Sequence, residues 1–270
     1  MIKSIQPGQR MGRLETQFFA YCQMLGLQTV RSGDVSAALR LTPEQERSLL
    51  FRLARNGWIV RLRRGLYLVP EKLPLGGKWM PPEGTALSTL MEDRNGRYQV
   101  CGPNAFNFWG FDDQVPNRVY AYNNRISGER VIAGVSFNLI KVCESRLGGV
   151  TEVTTPAGAP LILGSKARTL VDAVRDWKRF NTVPRAYDWI RDATREESTL
   201  VPELMDACVQ FGNVSTLRRI GYILAMSGVE PRRLRRLRSR IKSESPVALI
   251  PGQSRAGTIN RKWGVIENGD

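Results

Sequence analysis

The sequence contains no histidine. That absence removes Ser-His-Asp triads, Cys-His dyads, HExxH zinc sites and Cys₂His₂ fingers, so any catalysis would have to run on carboxylates, Lys or Tyr. Cysteine is scarce: Cys22, Cys101, Cys143 and Cys208 stand too far apart for a CxxC pair. They read as small buried hydrophobes in a reducing cytoplasm, not as a disulfide framework or a zinc site. Long apolar runs are missing. The longest uncharged stretch covers residues 16–30, is 15 residues long and is interrupted by Gln and Gly. A bilayer span needs ~20 apolar residues. The first residues also lack the basic start and compact apolar run of a signal peptide. The expectation is a soluble, cytoplasmic protein with no membrane partner and no metal or cofactor.

What is present is positive charge. The chain has 270 residues, 42% hydrophobic and 24% charged, with 40 Lys+Arg against 25 Asp+Glu and a net charge of +15. This length and composition predict a globular chain of two domains. The charge is clustered. Residues 1–78 hold 13 basic and 5 acidic side chains, and residues 218–242 hold 9 and 1, while the remainder sums to −1. Of the 40 cations 32 are Arg, whose rigid fork suits phosphates and guanine edges. A polyanionic partner follows.

The N-terminal pattern predicts three helices and a hairpin. Leu14, Phe18, Phe19, Tyr21, Cys22 and Leu25 keep helical spacing as far as Gly26, and a short second helix is expected over 32–39. Thr42-Pro43-Glu44-Gln45 then starts a third helix: Thr42 is the cap, Pro43 occupies the first position and Gln45 completes a capping box. Its apolar face is Leu49, Leu50, Leu53 and Ala54, and its polar face Gln45, Ser48, Arg52 and Arg55, with Arg47 flanking. Strands at 58–62 and 66–69 enclose the turn Arg63-Arg64-Gly65. This is the layout of a winged helix-turn-helix, with helix three in the major groove and Arg61, Arg63 and Arg64 on the wing meeting backbone or minor groove. Glu44 and Glu46 would repel phosphates, which moves the expected base contacts along the helix to Ser48, Arg52 and Arg55.

Residues 71–82, with Pro74, Pro81, Pro82 and Gly76-Gly77, read as a linker. Beyond it the pattern predicts a larger α+β domain over 83–270. A helix over 83–94 and a strand over 97–101 come first. A short aromatic helix with Phe106, Phe108, Trp109 and Phe111 follows, its rings expected in the core. Strands over 118–123, 130–142, 150–155 and 160–163 suggest an antiparallel sheet. Helices over 166–180, 184–197, 202–211, 215–226 and 231–243 supply a covering layer. Asp112-Asp113 reads as a loop cap, and Asp172 as a salt bridge with Arg168 or Arg175. The last helix has a narrow apolar stripe of Leu234, Leu237 and Ile241. Arg232, Arg233, Arg235, Arg236, Arg238, Arg240 and Lys242 cover its other faces and would contact an anionic partner: DNA, RNA or protein.

The run LFRLARNGWIVRLRRGLYLVP (50–70) resembles the N-terminal domain of the AbiEi family, antitoxins of type IV toxin–antitoxin and phage abortive-infection systems. FNLIKV (137–142), TPAGAPLILGSKARTLVDAV (155–174) and RKWGVIEN (261–268) are similar to later stretches of that family; the segment between 70 and 130 shows little likeness. The resemblance implies a winged helix that represses its own operon by binding inverted repeats in the promoter. It also implies a C-terminal domain that counteracts a nucleotidyltransferase toxin, without a stable complex being required. Two other readings remain open. One is a repressor whose C-terminal domain senses a ligand or partner. The other is a metal-dependent nuclease, for which Lys141 and Lys166 alone would have to serve between 79 and 177.

Overall fold

The computed structural model describes residues 11–73, 78–155 and 158–268. Along the chain run α1 (Arg13–Met24), β1 (Thr29–Arg31), α2 (Pro43–Arg55), β2 (Val60–Arg63), β3 (Leu66–Leu68) and α3 (Glu83–Glu92). Next come β4 (Tyr98–Val100), α4 (Pro103–Phe108), β5 (Val119–Asn123), β6 (Gly128–Ile132), β7 (Val135–Lys141), β8 (Val150–Thr154) and β9 (Pro160–Gly164). Helices α5 (Lys166–Arg175), α6 (Trp177–Phe180), α7 (Arg185–Glu196), α8 (Leu200–Phe211), α9 (Val214–Met226) and α10 (Arg235–Ser239) follow. The strands β10 (Val247–Ala248), β11 (Thr258–Asn260) and β12 (Val265–Glu267) come last.

The fold is α+β, and its contacts form two compact units. The first draws its described residues from the stretches up to 97, 127–139 and 154–161; the second draws them from 98–126, 140–153 and 162 onward. The boundary expected at 71–82 is therefore not where the contacts divide. Both α3 and the hairpin β6–β7 belong with the N-terminal elements, since Arg63 of β2 forks onto Asp93 just past α3 and β2 lies beside β6. Residues 74–77 of that expected linker lie outside the described residues.

In the first unit β3 is the central strand of a three-stranded antiparallel sheet, β1-β3-β2, with Thr29 opposite Leu68 and Arg63 opposite Leu66. Phe18, Phe19, Cys22, Leu49, Leu50, Leu53 and Ile59 form the core beneath it. Helix, strand, helix and two-stranded wing in this order make a winged-helix arrangement. The expected second helix over 32–39 is absent. Asp34 turns back to accept the Arg31 N–H at 2.7 Å, Leu39 N closes one turn on Val35 O, and Arg40 ends it at φ 52°. The third helix starts as its sequence predicts: Thr42 accepts the Gln45 N–H and the Gln45 side chain accepts the Thr42 N–H at 2.9 Å.

The region expected as one strand over 130–142 is a hairpin. Ile132 pairs with Val135, leaving Ala133 (φ 50°) and Gly134 (φ 84°) as a two-residue turn with both positions at positive φ, as a type I′ turn requires. In the second unit β4 pairs antiparallel with β5 and parallel with β9 through Val100 and Leu163, so the sheet is mixed, not antiparallel. The long connection from β4 to β9 is what permits the parallel pairing. Helix α5 is buried along Ala167–Val174 and is surrounded by α7, α8 and α9, so its polar Arg168, Thr169 and Asp172 are buried together with the apolar stripe Ala167, Leu170, Val171 and Val174. It ends at Asp176, before α6. The expected last helix shrinks to α10, where Arg240 N and Ile241 N bond three residues back in tight turns. A small sheet, β10-β12-β11, follows in a stretch where no strands were expected.

Candidate nucleic-acid interface

The apolar face of α2 packs inward through Leu49, Leu50 and Leu53, and this turns Arg47, Ser48, Phe51, Arg52 and Arg55 outward. Arg47, Phe51 and Arg55 follow one another at four-residue spacing and form one stripe. Neither Arg47 nor Arg55 has a side-chain partner among the described residues. Phe51 is 58% exposed between them. It lies outside the 49-50-53-54 face, and an aromatic on the polar side of a helix is the signal that could have marked it. An exposed ring there offers apolar contact to a thymine methyl, which side-chain charge cannot.

The other expected contacts are partly committed elsewhere. Gln45 spends its carbonyl oxygen on the helix cap. Arg52 pairs with Glu15 of α1 at 3.0 Å. Glu46, expected to repel phosphates, is instead 3% exposed, and its carboxylate accepts the N–H groups of Gly33 at 2.7 Å and Val35 at 3.1 Å. The turn over 32–40 thus hangs on a buried carboxylate of α2, and one negative charge leaves the surface.

On the wing, Gly65 takes φ 76° and the tip carries Arg64, exposed and with no side-chain partner among the described residues. Arg61 is exposed and reaches the Arg63 carbonyl at 3.4 Å. Arg63 forks onto Asp93, Nε to Oδ2 and Nη2 to Oδ1, both at 2.6 Å, and its Nη1 holds the Arg64 carbonyl. Those bonds hold the Asp93 carboxyl below its ordinary pKa and raise that of Arg63. Arg63 is a brace for the wing, and Arg61 and Arg64 are its free cations.

In the second unit the segment 231–242 keeps its expected stripe: Leu234 and Leu237 are buried and Ile241 packs against the same core. Arg236 pairs with Asp206 of α8 and Arg232 with Glu230, both exposed pairs. Arg233, Arg235, Arg238, Arg240 and Lys242 are exposed on the surface. Lys262, which no reading of the helix includes, comes beside Arg235 and Arg238.

Asp172 and Asp112 are both engaged in internal contacts. Asp172, 2% exposed, bonds Arg168 Nε at 2.8 Å, and Arg146 approaches it at 3.4 Å while pairing with Asp176 at 2.8 Å. Burial pushes the Asp172 carboxyl above its ordinary pKa against the pull of Arg168. Asp112 caps its own loop through the Gln114 N–H and meets Arg185. Phe106 and Phe111 pack as expected, and Trp109 donates to Gly164 O at 2.9 Å; Phe108 is 49% exposed instead. Cys143 also departs from expectation by lying on the surface; the other three cysteines are buried, and burial raises the Cys22 thiol to about 11. Among the described residues no cluster of Cys, Asp or Glu could hold a metal ion, and no helix is long and apolar enough to cross a membrane.

No family model matches the chain, and no curated protein matches it in sequence. Among solved structures, the chain is similar to the RV2827C protein of Mycobacterium tuberculosis, with a TM-score of 0.58 at 19% identity over 97% of this chain and 94% of that one. At this identity the likeness concerns the fold alone.

Proposed function

We propose that the protein is a DNA-binding autoregulator and antitoxin, which represses its own promoter and counteracts a nucleotidyltransferase toxin. The observation that carries the DNA half is the open set Arg47, Phe51, Arg55, Arg61 and Arg64, presented by α2 and the wing of one winged-helix unit. Helix α2 would lie in the major groove and the wing along the backbone. The antitoxin half is supported by the resemblance of residues 50–70, 137–142, 155–174 and 261–268 to AbiEi proteins.

The test for DNA is fluorescence anisotropy with the duplex upstream of the gene, across a salt series. Affinity should fall steeply with salt. Arg47→Ala, Arg55→Ala and Arg64→Ala should each reduce the slope by about 1 where the arginine neutralises one phosphate. Arg52→Ala and Arg63→Ala should act more on stability, because both side chains serve internal ion pairs. An affinity that ignores salt would reject the reading. For the antitoxin half, the neighbouring toxin gene is induced alone, with the full chain, and with the Arg47→Ala/Arg55→Ala/Arg64→Ala triple variant. Rescue by both forms of the chain is expected. Absence of toxicity, or of rescue, would leave a repressor without an antitoxin role.

A further inference from the structure

A second cationic feature stands apart from the DNA reading. In the second unit Arg232, Arg235, Arg238 and Lys262 line a cavity of about 280 Å³ together with Pro231, Leu234 and Trp263. Arg232 is partly neutralised by Glu230 at 2.5 Å. Among the described residues no carboxylate pairs with Arg235, Arg238 or Lys262.

Two buried groups, the cavity-lining Trp263 and the Arg218 that bonds its carbonyl, lack what their chemistry requires. Arg218 of α9 is 3% exposed; its Nη1 donates to the Trp263 carbonyl at 2.6 Å, its Nη2 to the Ser243 carbonyl, and its buried Nε has no acceptor among the described residues. A buried guanidinium held only by neutral carbonyls has no counter-charge, an arrangement that is costly unless an anion completes it. Trp263 is 1% exposed, and its indole N–H also has no acceptor among the described residues. The benzo half of that ring meets α9 at Gly221, where an added Cβ would come within 2.2 Å of Cζ3. The pyrrole half with its N–H is therefore clear of that contact, in a residue that lines the cavity.

We propose that this cavity is a binding site for a phosphate group, free or at the end of a nucleotide. Arg235, Arg238 and Lys262 give charge-assisted hydrogen bonds to the oxygens, and the Trp263 N–H is the neutral donor. Three unpaired cations, with the uncompensated Arg218 bonded to the carbonyl of the cavity-lining Trp263, match a group carrying about −1.5 to −2 charges better than a single carboxylate. The volume lies just under the range of whole-ligand pockets, which suits a phosphate entering while the rest of a nucleotide stays outside.

The test is isothermal titration of the full chain in phosphate-free, low-salt buffer with inorganic phosphate, pyrophosphate, AMP and ATP, against KCl at matched ionic strength. Saturable one-site binding of at least one of them is expected. The exposed variant Lys262→Ala and the double variant Arg235→Ala/Arg238→Ala should each weaken it by about tenfold or more, as loss of a charge-assisted bond does. Trp263→Phe keeps the ring, loses the donor and should weaken it severalfold. Equal affinity for phosphate and ATP assigns the site to the free ion, and preference for ATP or AMP to a nucleotide; both uphold the proposal. No saturable binding, binding untouched by both arginine and lysine variants, or capture of nucleic acid alone by these residues would overturn it. Promoter binding by Lys262→Ala, expected to be unchanged, separates this outcome from failure of the DNA reading.

Discussion

Asp172→Ala distinguishes a structural carboxylate from a chemical one. Arg168 is fully buried, its Nε on Asp172 at 2.8 Å, Nη1 on Gly148 O at 3.0 Å and Nη2 on Arg146 O at 2.8 Å, with the guanidinium 3.9 Å from the centre of the Phe211 ring. Removing the carboxylate leaves that cation in place, held by two carbonyls and a ring. Arg146 keeps Asp176 and is not stranded. Breaking a buried pair on one side costs about 3–5 kcal/mol. At roughly 2–4 °C per kcal/mol for a unit of this size, the melting temperature should fall by about 6–20 °C. Differential scanning calorimetry of the full chain measures it. Arg168→Met/Asp172→Leu should recover only part of the loss, because the Gly148 and Arg146 carbonyls then lose their donor. An Asp172→Ala protein melting within ~2 °C of the parent would refute the ion-pair account.

Three further perturbations test other contacts. Glu46→Ala strips the acceptor from the Gly33 and Val35 N–H groups and should cost about 2–4 kcal/mol in urea unfolding; a stable variant that binds DNA more tightly would mean Glu46 is a surface charge after all. Because Arg63 depresses the folded-state pKa of Asp93, the stabilisation from that pair should be complete above the unfolded carboxylate value and lost as pH falls through the depressed folded one. Asp93→Asn should flatten that acid limb in unfolding measured from pH 7 to 2, and an unchanged limb would contradict the assignment. Gly221→Ala adds a better helix former, worth about 1 kcal/mol in a free helix. Its Cβ would meet the Trp263 ring at 2.2–2.5 Å, so a net loss of about 1–3 kcal/mol is expected by thermal unfolding, and a gain would contradict the packing.

The winged-helix part was legible because its signals are local. A Thr-Pro-Glu-Gln start needs only its own residues to form a capping box, and Arg64-Gly65 between two short apolar runs needs only its own backbone to turn. The Asp172–Arg168 pair was legible for the same reason, being one helical turn apart. The helix over 32–39 failed because Glu46, which organises that turn, lies on the next element, and no periodicity within 32–39 records it. The hairpin within 130–142 was missed because Ala133 occupies the positive-φ position where Asn or Asp is the usual mark.

The site shows the same division. Residue type, spacing and charge by themselves determined where the cations cluster, which face of α2 is polar and which parts of enzymology are closed to a chain without histidine. Which cations are free was decided only by tertiary structure. Arg63 and Arg64 are neighbours in sequence, yet one is spent on Asp93, 30 residues away, and the other stands open on the wing tip. Lys262 joins Arg235 and Arg238 across more than twenty residues because β12 and α9 bring the Trp263 turn back beside α10. Partners that far apart leave no trace in local spacing, because the short-range interaction that pairs them exists only once the core has folded and set the distance.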